Sequence, residues 1–208
     1  MKINHRTTTH VVDVSNRDAV MTLADDIHTA HGRCEIVFNN AGVASAFAFD
    51  QVGLEEVDKV MHINLGGMIN IAKAFLPLLK ASERSALVNT SSILGLFGFP
   101  SSLAYCMSKF GVTALSQCLA MESAEFYPNV HICSVHPGFI RGAIIMNSKE
   151  HILPIKGRRS VELSEVDRFF KFIGSTSPKI AASQMVKLVG AFPVLVIDDL
   201  TQVDGTFH

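Results

Sequence analysis

The sequence predicts an α/β fold in which a doubly wound parallel sheet, of the Rossmann type, is covered by helices on both faces. Short β-branched apolar runs alternate with longer segments of helical periodicity, as a parallel sheet with crossover helices requires. Residues 35–38 are followed directly by small, turn-forming residues, the usual end of a parallel strand. No repeat or low-complexity linker interrupts this pattern, so a single domain over residues 1–208 is predicted.

Five strands and four helices are predicted in chain order. The strands are placed at residues 10–14, 35–38, 86–90, 130–135 and 194–197. The helices are placed at residues 17–30, 54–79, 102–125 and 177–189. Ser15 is a candidate cap for the first helix, because its hydroxyl could accept a hydrogen bond from a backbone N–H of the first turn.

Composition excludes several classes of function. The chain has 208 residues, of which 48% are hydrophobic and 18% charged, so it can bury a core and is not a disordered protein. The net charge is −1 and no basic block is present, which excludes a nucleic-acid or anionic-membrane footprint. With no membrane-spanning apolar run and no signal-peptide pattern, we expect a cytoplasmic protein that acts on a small molecule.

The cysteines and histidines do not predict a metal site. The four cysteines, Cys34, Cys106, Cys118 and Cys133, lack paired short spacing, so we expect reduced, buried thiols. His131 and His136 are expected on opposite faces of a strand, which makes them poor metal partners. No His-Glu-x-x-His pattern occurs.

A tyrosine, a lysine and a serine are predicted to share one pocket. Tyr105 and Lys109 lie four residues apart, on one face of a predicted helix. A cation that stabilises phenolate lowers the pKa of a phenol from about 10 toward the operating pH, so Lys109 is expected to lower the pKa of Tyr105. Ser92 follows a predicted strand and would face the same strand-end crevice, where its hydroxyl could bind a carbonyl.

These residues belong to a larger set that resembles the classical short-chain dehydrogenase/reductase family in order and approximate spacing. The set comprises Asn39-Asn40-Ala41-Gly42, Asn64, Asn89-Thr90-Ser91-Ser92, the Tyr105 and Lys109 pair, and Pro137-Gly138. The resemblance extends from about residue 10 to residue 197. It implies an oxidoreductase that moves hydride between NAD or NADP and an alcohol or carbonyl substrate.

The resemblance also implies a role for each catalytic residue. Tyr105 would donate or accept the proton at the substrate oxygen, and Ser92 would position that oxygen. Lys109 would lower the tyrosine pKa and hold the nicotinamide ribose. Asn64 would anchor a water that links the lysine to solvent; the alternative is a polar residue that merely distorts its helix.

On the cofactor side, the resemblance implies three groups of contacts. Asp13, with Val14 beside it, would contact adenine; Asn40, Ala41 and Gly42 would line the ribose; and Pro137, Gly138 and Ile140 would lie against the nicotinamide. Small residues suit these positions because backbone can approach a dinucleotide only where side chains are short. Asp13 could equally be a helix-capping carboxylate.

The sequence departs from the family at its start. The family opens with a strand, a Gly-rich turn, a helix and a second strand, and this unit is not found before residue 10. We therefore expect an N-terminally truncated fold in which the strand at 35–38 has an open edge, with instability or repacking as the result. Cofactor affinity should fall, because the Gly-rich turn supplies the donors for the pyrophosphate. Gly142 also replaces a threonine that often binds the nicotinamide amide.

Two functions remain open at this point: the oxidoreductase, and a catalytically idle binding or dimerisation module. Residues 146–176 correspond to the variable substrate lid of the family, and their apolar residues favour a hydrophobic carbonyl substrate. The apolar segments at 54–79 and 102–125 predict a homodimer or homotetramer, with core packing within one subunit as the alternative.

Overall fold

One parallel sheet organises the protein. The computed structural model describes residues 7–138, 140, 177, 179–180 and 183, and the backbone of 194–197. The strands are β1 (Ile36–Asn39), β2 (Ser85–Thr90), β3 (Val130–Val135) and β4 (Val194–Ile197), paired in parallel in the order β3-β2-β1-β4. The predicted α/β fold with a parallel sheet is confirmed.

The helices α1 (Arg17–His31), α2 (Leu54–Met61), α3 (Gly67–Ala81) and α4 (Leu103–Phe126) accompany the sheet. A π-helical turn, His62–Gly66, joins α2 to α3, and a 3-10 turn, Ile93–Gly95, follows β2. The helix predicted at 54–79 is therefore three consecutive pieces. Helical turns of the π type are frequent at functional sites, and this one carries Asn64.

The main core lies between the sheet and helices α1 and α3. Val20 and Ile27 of α1 pack with Ile71 and Phe75 of α3 against Leu87 of β2, all at most 4% exposed. The opposite face of the sheet carries a second buried cluster, Ile36, Phe38, Ala86 and Val88. The helix predicted at 177–189, which would cover a sheet face, lies outside the described residues except for 177, 179–180 and 183.

The segment at residues 10–14, predicted as the first strand, is not a strand. A strand requires a neighbour that completes its backbone ladder, whereas Val14 of this segment contacts helix α3. The Val14 carbonyl accepts a hydrogen bond of 3.0 Å from Asn70 Nδ2. The Val14 side chain packs so closely on Gly67 that a Cβ there would lie 2.6 Å from Val14 Cγ2.

The cap of α1 also differs from the prediction. Asn16, not Ser15, is the N-cap, and its Oδ1 accepts a hydrogen bond of 3.1 Å from the Ala19 N–H. Ser15 instead donates its backbone N–H and its hydroxyl to Asp13 Oδ1, at 2.9 and 2.7 Å. The Ser15 hydroxyl, which was expected to cap the helix, therefore hydrogen-bonds the Asp13 carboxylate instead.

The expected open edge on β1 is wrong. β4 pairs in parallel along the whole of β1, with Ile36 opposite Val194 and Asn39 opposite Ile197. This pairing supplies partners for backbone groups that an edge strand would leave unpaired.

The cysteines divide into two groups. Cys34 and Cys106 are buried and free, as expected, whereas Cys118 and Cys133 are exposed and free. The expectation of buried thiols is therefore wrong for two of the four, because Cys118 and Cys133 lie on outward faces of α4 and β3. Among the described residues, no helix is long and apolar enough to cross a membrane.

Candidate active site

Ser92, Tyr105 and Lys109 come together beyond the carboxyl ends of the central strands. Ser92 follows β2, while Tyr105 and Lys109 lie in the first half of α4. The Ser92 side chain lowers the pKa of the Tyr105 phenol through a hydrogen-bonding interaction, and Lys109 Nζ lies 5.7 Å from the centre of the tyrosine ring. The structure thus brings together the three residues that were predicted to share one pocket.

Lys109 is almost completely buried, with 2% of its surface exposed. Its Nζ donates a hydrogen bond of 2.8 Å to the backbone carbonyl of Thr90, at the end of β2. Burial lowers the pKa of Lys109 from 10.5 to about 8, because an ammonium that loses its hydration is less stable. The lysine is still mainly protonated at neutral pH.

The environment of Tyr105 acts on its pKa in two directions. Burial raises the pKa of the phenol, and the hydrogen bond from Ser92 lowers it by a smaller amount. The expected net lowering by Lys109 is wrong for this structure, because burial has the larger effect on the phenol. Lys109 Nζ is directed to the Thr90 carbonyl. Tyr105 is therefore protonated at neutral pH and available as a proton donor.

Asn64 connects the loop after β1 to α4. Its Oδ1 accepts from the Val43 N–H and its Nδ2 donates to the Val43 carbonyl, both at 2.8 Å. Nδ2 also donates to Ser108 Oγ at 3.0 Å. Both amide hydrogens are thus used within the protein, and Asn64 lies in the π-helical turn, as its alternative role as a helix-distorting residue would require.

Gly42 lies at the closest approach between the loop after β1 and the catalytic residues. A Cβ added there would lie 3.2 Å from Asn64 Oδ1 and 3.6 Å from Lys109 Nζ. Any side chain would therefore fill the space beside the lysine. Of the other two residues predicted to line the ribose, Asn40 is half-buried and Ala41 is 1% exposed, within the core.

The remaining residues predicted to contact the cofactor differ in how far they are buried. Pro137 is half-buried, and its carbonyl accepts from the Ile93 N–H at 2.9 Å, beside the Ser92 loop. Gly138 is exposed with open space around it, and Ile140 is half-buried. Asp13 is exposed and forms the local turn described above, whereas Val14 is buried in the main core.

Comparison with known proteins establishes the family. Residues 2–152 match the family described as short chain dehydrogenase, which is more than half of the chain. The chain belongs to the short chain dehydrogenase family. A 3-ketodihydrosphingosine reductase of Bacteroides thetaiotaomicron is 37% identical over 128 residues, which are 62% of this chain and 47% of that protein. The chain spans about half the length of the curated relatives it matches.

Solved structures of this short chain dehydrogenase fold are also similar. Levodione reductase aligns with a TM-score of 0.73 and 26% identity, covering 93% of this chain and 76% of the other. NAD⁺-bound xylitol dehydrogenase aligns with a TM-score of 0.63 and 28% identity, covering 68% and 55%. Solved neighbours contain NAD or NADP.

A buried polar chain in this dehydrogenase fold was missed from the sequence. Asn39 Nδ2 donates to Asn89 Oδ1 at 3.1 Å and to the Met68 carbonyl at 3.0 Å, and Asn89 Nδ2 donates to Ser116 Oγ at 3.0 Å. These bonds tie the ends of β1 and β2 to α3 and α4. The available signal was an asparagine near the end of each of two adjacent strands, which the register places opposite each other.

Gly95 was also missed, and it sets how closely the Ser92 loop packs on α4. A Cβ at this position would lie 2.4 Å from Ser91 Oγ and 2.7 Å from the Lys109 carbonyl oxygen. The second of these atoms is backbone and cannot move independently of α4. The loop that carries Ser92 therefore depends on a glycine.

Replacing Gly95 with alanine should lower the free energy of unfolding by about 1–3 kcal/mol, because the added methyl overpacks the contact with α4. Urea denaturation measures this change. Gly98→Ala is the matched control: a Cβ there meets nothing within 4 Å, so its effect should stay within about 0.5 kcal/mol. Equal effects of the two substitutions would contradict the packing described for Gly95.

The site contains no alternative set of metal ligands within the part of the chain that the structure describes. No group of three or more histidine, cysteine, aspartate or glutamate side chains is placed to hold a metal ion there. His131 is exposed on β3, while His136 lies against the Ser92 loop.

Proposed function

We propose that this chain is an NAD- or NADP-dependent oxidoreductase that moves hydride between the nicotinamide and an alcohol or carbonyl substrate. One observation carries the proposal: a serine hydroxyl lowers the pKa of a phenol, and a buried ammonium lies 5.7 Å from the centre of that phenol ring. They lie at the strand ends of a parallel sheet, where such folds bind ligands. Family membership supports oxidoreductase chemistry.

In the proposed reaction, the nicotinamide cofactor supplies or accepts the hydride when it is bound. Ser92 holds the substrate oxygen with its hydroxyl, and Tyr105 donates a hydrogen bond to the same oxygen. In carbonyl reduction Tyr105 passes its proton to the developing alkoxide, and in alcohol oxidation its phenolate takes the proton back. Preorganised donors of this kind stabilise the charge that develops at the oxygen.

The residues beside Lys109 fit a ribose. The lysine ammonium adjoins Gly42, where the absence of a side chain leaves space that a Cβ would occupy. A ribose hydroxyl in that space could accept a hydrogen bond from Lys109 Nζ in place of the Thr90 carbonyl. Asn64 holds the loop of Gly42 in position through Val43. Either NAD or NADP is compatible with these contacts.

A hydrophobic carbonyl compound is the proposed substrate. Leu96, Phe97 and Phe99 follow Ser92 in the chain and are 57%, 46% and 41% exposed. Apolar side chains that remain exposed next to a catalytic serine offer contact to an apolar substrate. The similarity to a reductase of 3-ketodihydrosphingosine points in the same direction. The lid expected at residues 146–176 lies outside the described residues.

A catalytically idle binding module is the alternative, and the occupied edge of β1 favours it. In the family's strand order, the position beside β1 belongs to the strand that leads into the Gly-rich turn. Here β4 takes that position. A site arranged in this way would keep the catalytic residues without donors for the pyrophosphate.

We also propose that the chain forms a homodimer or homotetramer in the cytoplasm. Leu103, Met107 and Phe110 form an apolar stripe on one side of α4 and are 38%, 46% and 44% exposed. Their spacing places them on one helix face, available to a second subunit. Sedimentation velocity distinguishes these assemblies from a monomer.

Turnover of a graded set of ketones tests the oxidoreductase. The purified chain is incubated with NADH or NADPH and 2-ketones of increasing alkyl length, and nicotinamide absorbance is followed. We expect cofactor oxidation that requires ketone, with kcat/KM rising with chain length, and its loss in Ser92→Ala. Cofactor oxidation at the same rate in Ser92→Ala, or with no ketone, would contradict the proposed site.

A further inference from the structure

His136, the residue after β3, lies between two serines. Its Nδ1 is 3.1 Å from the Ser92 carbonyl oxygen, and its Nε2 is 2.9 Å from Ser134 Oγ. A carbonyl oxygen only accepts hydrogen bonds, so Nδ1 must carry the hydrogen. In the neutral ring Nε2 then accepts the hydroxyl hydrogen of Ser134, and this contact favours the tautomer that donates to Ser92.

The peptide group that follows Ser92 is held at both ends. Its carbonyl oxygen accepts from His136 Nδ1 and also from the Gly95 N–H, at 2.9 Å. Its N–H, which belongs to Ile93, donates to the Pro137 carbonyl at 2.9 Å. His136 is the only side chain among these partners. The orientation of this peptide sets the direction of the Cα–Cβ bond of Ser92.

The Ser92 hydroxyl is correspondingly well placed. Its oxygen accepts from the Leu94 N–H at 3.1 Å, and the serine is 7% exposed. The same side chain interacts with the Tyr105 phenol and lowers its pKa. A small rotation of the adjoining peptide would move this hydroxyl relative to the phenol. Misplacement of a catalytic group by about 1 Å can cost about 100-fold in rate.

We propose that His136 is a positioning residue: it donates Nδ1–H to the Ser92 carbonyl, and so holds the Ser92 hydroxyl against Tyr105. Its catalytic consequence rests on the proposed oxidoreductase function, whereas its effect on the Ser92 and Tyr105 contact does not. His136 acts through Ser92, and Ser134 acts through His136 by fixing the tautomer.

Titration of Tyr105 tests the proposal without turnover. The chain contains two tyrosines and no tryptophan, so in a Tyr127→Phe background phenolate absorbance reports Tyr105 alone. His136→Ala should raise the titration midpoint, because the Ser92 hydrogen bond that lowers the Tyr105 pKa is weakened. His136→Asn, whose side-chain N–H can still donate, should restore it. His131→Ala, at an exposed position on β3, is the matched control.

Two further measurements separate positioning from folding and from catalysis. In the unaltered chain, ¹⁵N chemical shifts should show His136 with its hydrogen on Nδ1; hydrogen on Nε2 would overturn the proposal even if every variant unfolded. An unchanged midpoint in a folded His136→Ala, checked by thermal melting, would overturn it as well.

Where ketone reduction is measurable, His136→Ala should lower kcat by about 10- to 100-fold, with little change in cofactor KM. A shifted midpoint without turnover would reject the oxidoreductase and keep the positioning role.

Discussion

Tyr105→Phe should lower kcat for ketone reduction by about 10²- to 10⁴-fold, the contribution expected of a positioned proton donor. The phenol is the acidic group that hydrogen-bonds Ser92, and at neutral pH it carries the proton that carbonyl reduction consumes. Phenylalanine keeps the ring and removes only the hydroxyl. Steady-state kinetics with saturating cofactor measures the change.

Tyr127→Phe is the natural control, because it removes the hydroxyl of the other tyrosine. Tyr127 follows the end of α4 and is 9% exposed. The centre of its ring lies 4.9 Å from Lys80 Nζ. This substitution should leave kcat within about twofold. Thermal melting should show that both variants fold, since the loss of one hydrogen bond costs about 1 kcal/mol. Full activity in Tyr105→Phe would remove the tyrosine from the mechanism.

Replacing Lys109 with methionine should abolish a rise in stability between about pH 8 and pH 10. The pKa of Lys109 is about 8 in the folded chain and 10.5 without burial. Between these values the unfolded chain holds a proton that the folded chain has released, so stability rises with pH. At about 1.4 kcal/mol per pH unit, the full gain approaches about 3 kcal/mol.

The comparison with Lys109→Met is needed because other groups titrate in the same range. Burial raises the pKa of Cys34 to about 11, and the partial loss of hydration raises that of Cys133, although its side chain is exposed. Both effects lower stability as pH rises above about 9. The cysteine contributions cancel when the pH-dependent free energies of unfolding of Lys109→Met and the unaltered chain, both from urea denaturation, are subtracted. Lys73→Met, at an exposed position of α3, should follow the unaltered chain. Parallel curves for Lys109→Met and the unaltered chain would show that the lysine is not buried as described.

Local sequence patterns predicted most elements because each rests on short-range periodicity. The strands at β2, β3 and β4 and the helices α1 and α4 lie within one or two residues of their predicted bounds. Residues 10–14 failed because a run rich in valine reports local preference, whereas a strand exists only with a partner. The pairing of β4 with β1 could not be predicted for the same reason.

The candidate site was predictable as a set of residues and unpredictable in its electrostatics. The position of Ser92 after a strand, the helical spacing of Tyr105 and Lys109, and the order of the family's motifs together predicted this set. The raised pKa of the tyrosine could not be predicted, because it depends on burial and on the direction of Lys109 Nζ. The π-helical turn was likewise hidden, since its apolar periodicity continues that of the flanking helices.

Direct binding of the nicotinamide nucleotide tests the central claim. NADH and NADPH are titrated into the purified chain, with nucleotide fluorescence and thermal melting as readouts, and Gly42→Val is the matched variant. We expect saturable binding and a higher melting temperature with at least one nucleotide. Both should be lost in a folded Gly42→Val, whose side chain fills the space beside Asn64 and Lys109. Absence of binding of either nucleotide at millimolar concentration, with no shift in melting, would contradict the oxidoreductase and favour the idle module.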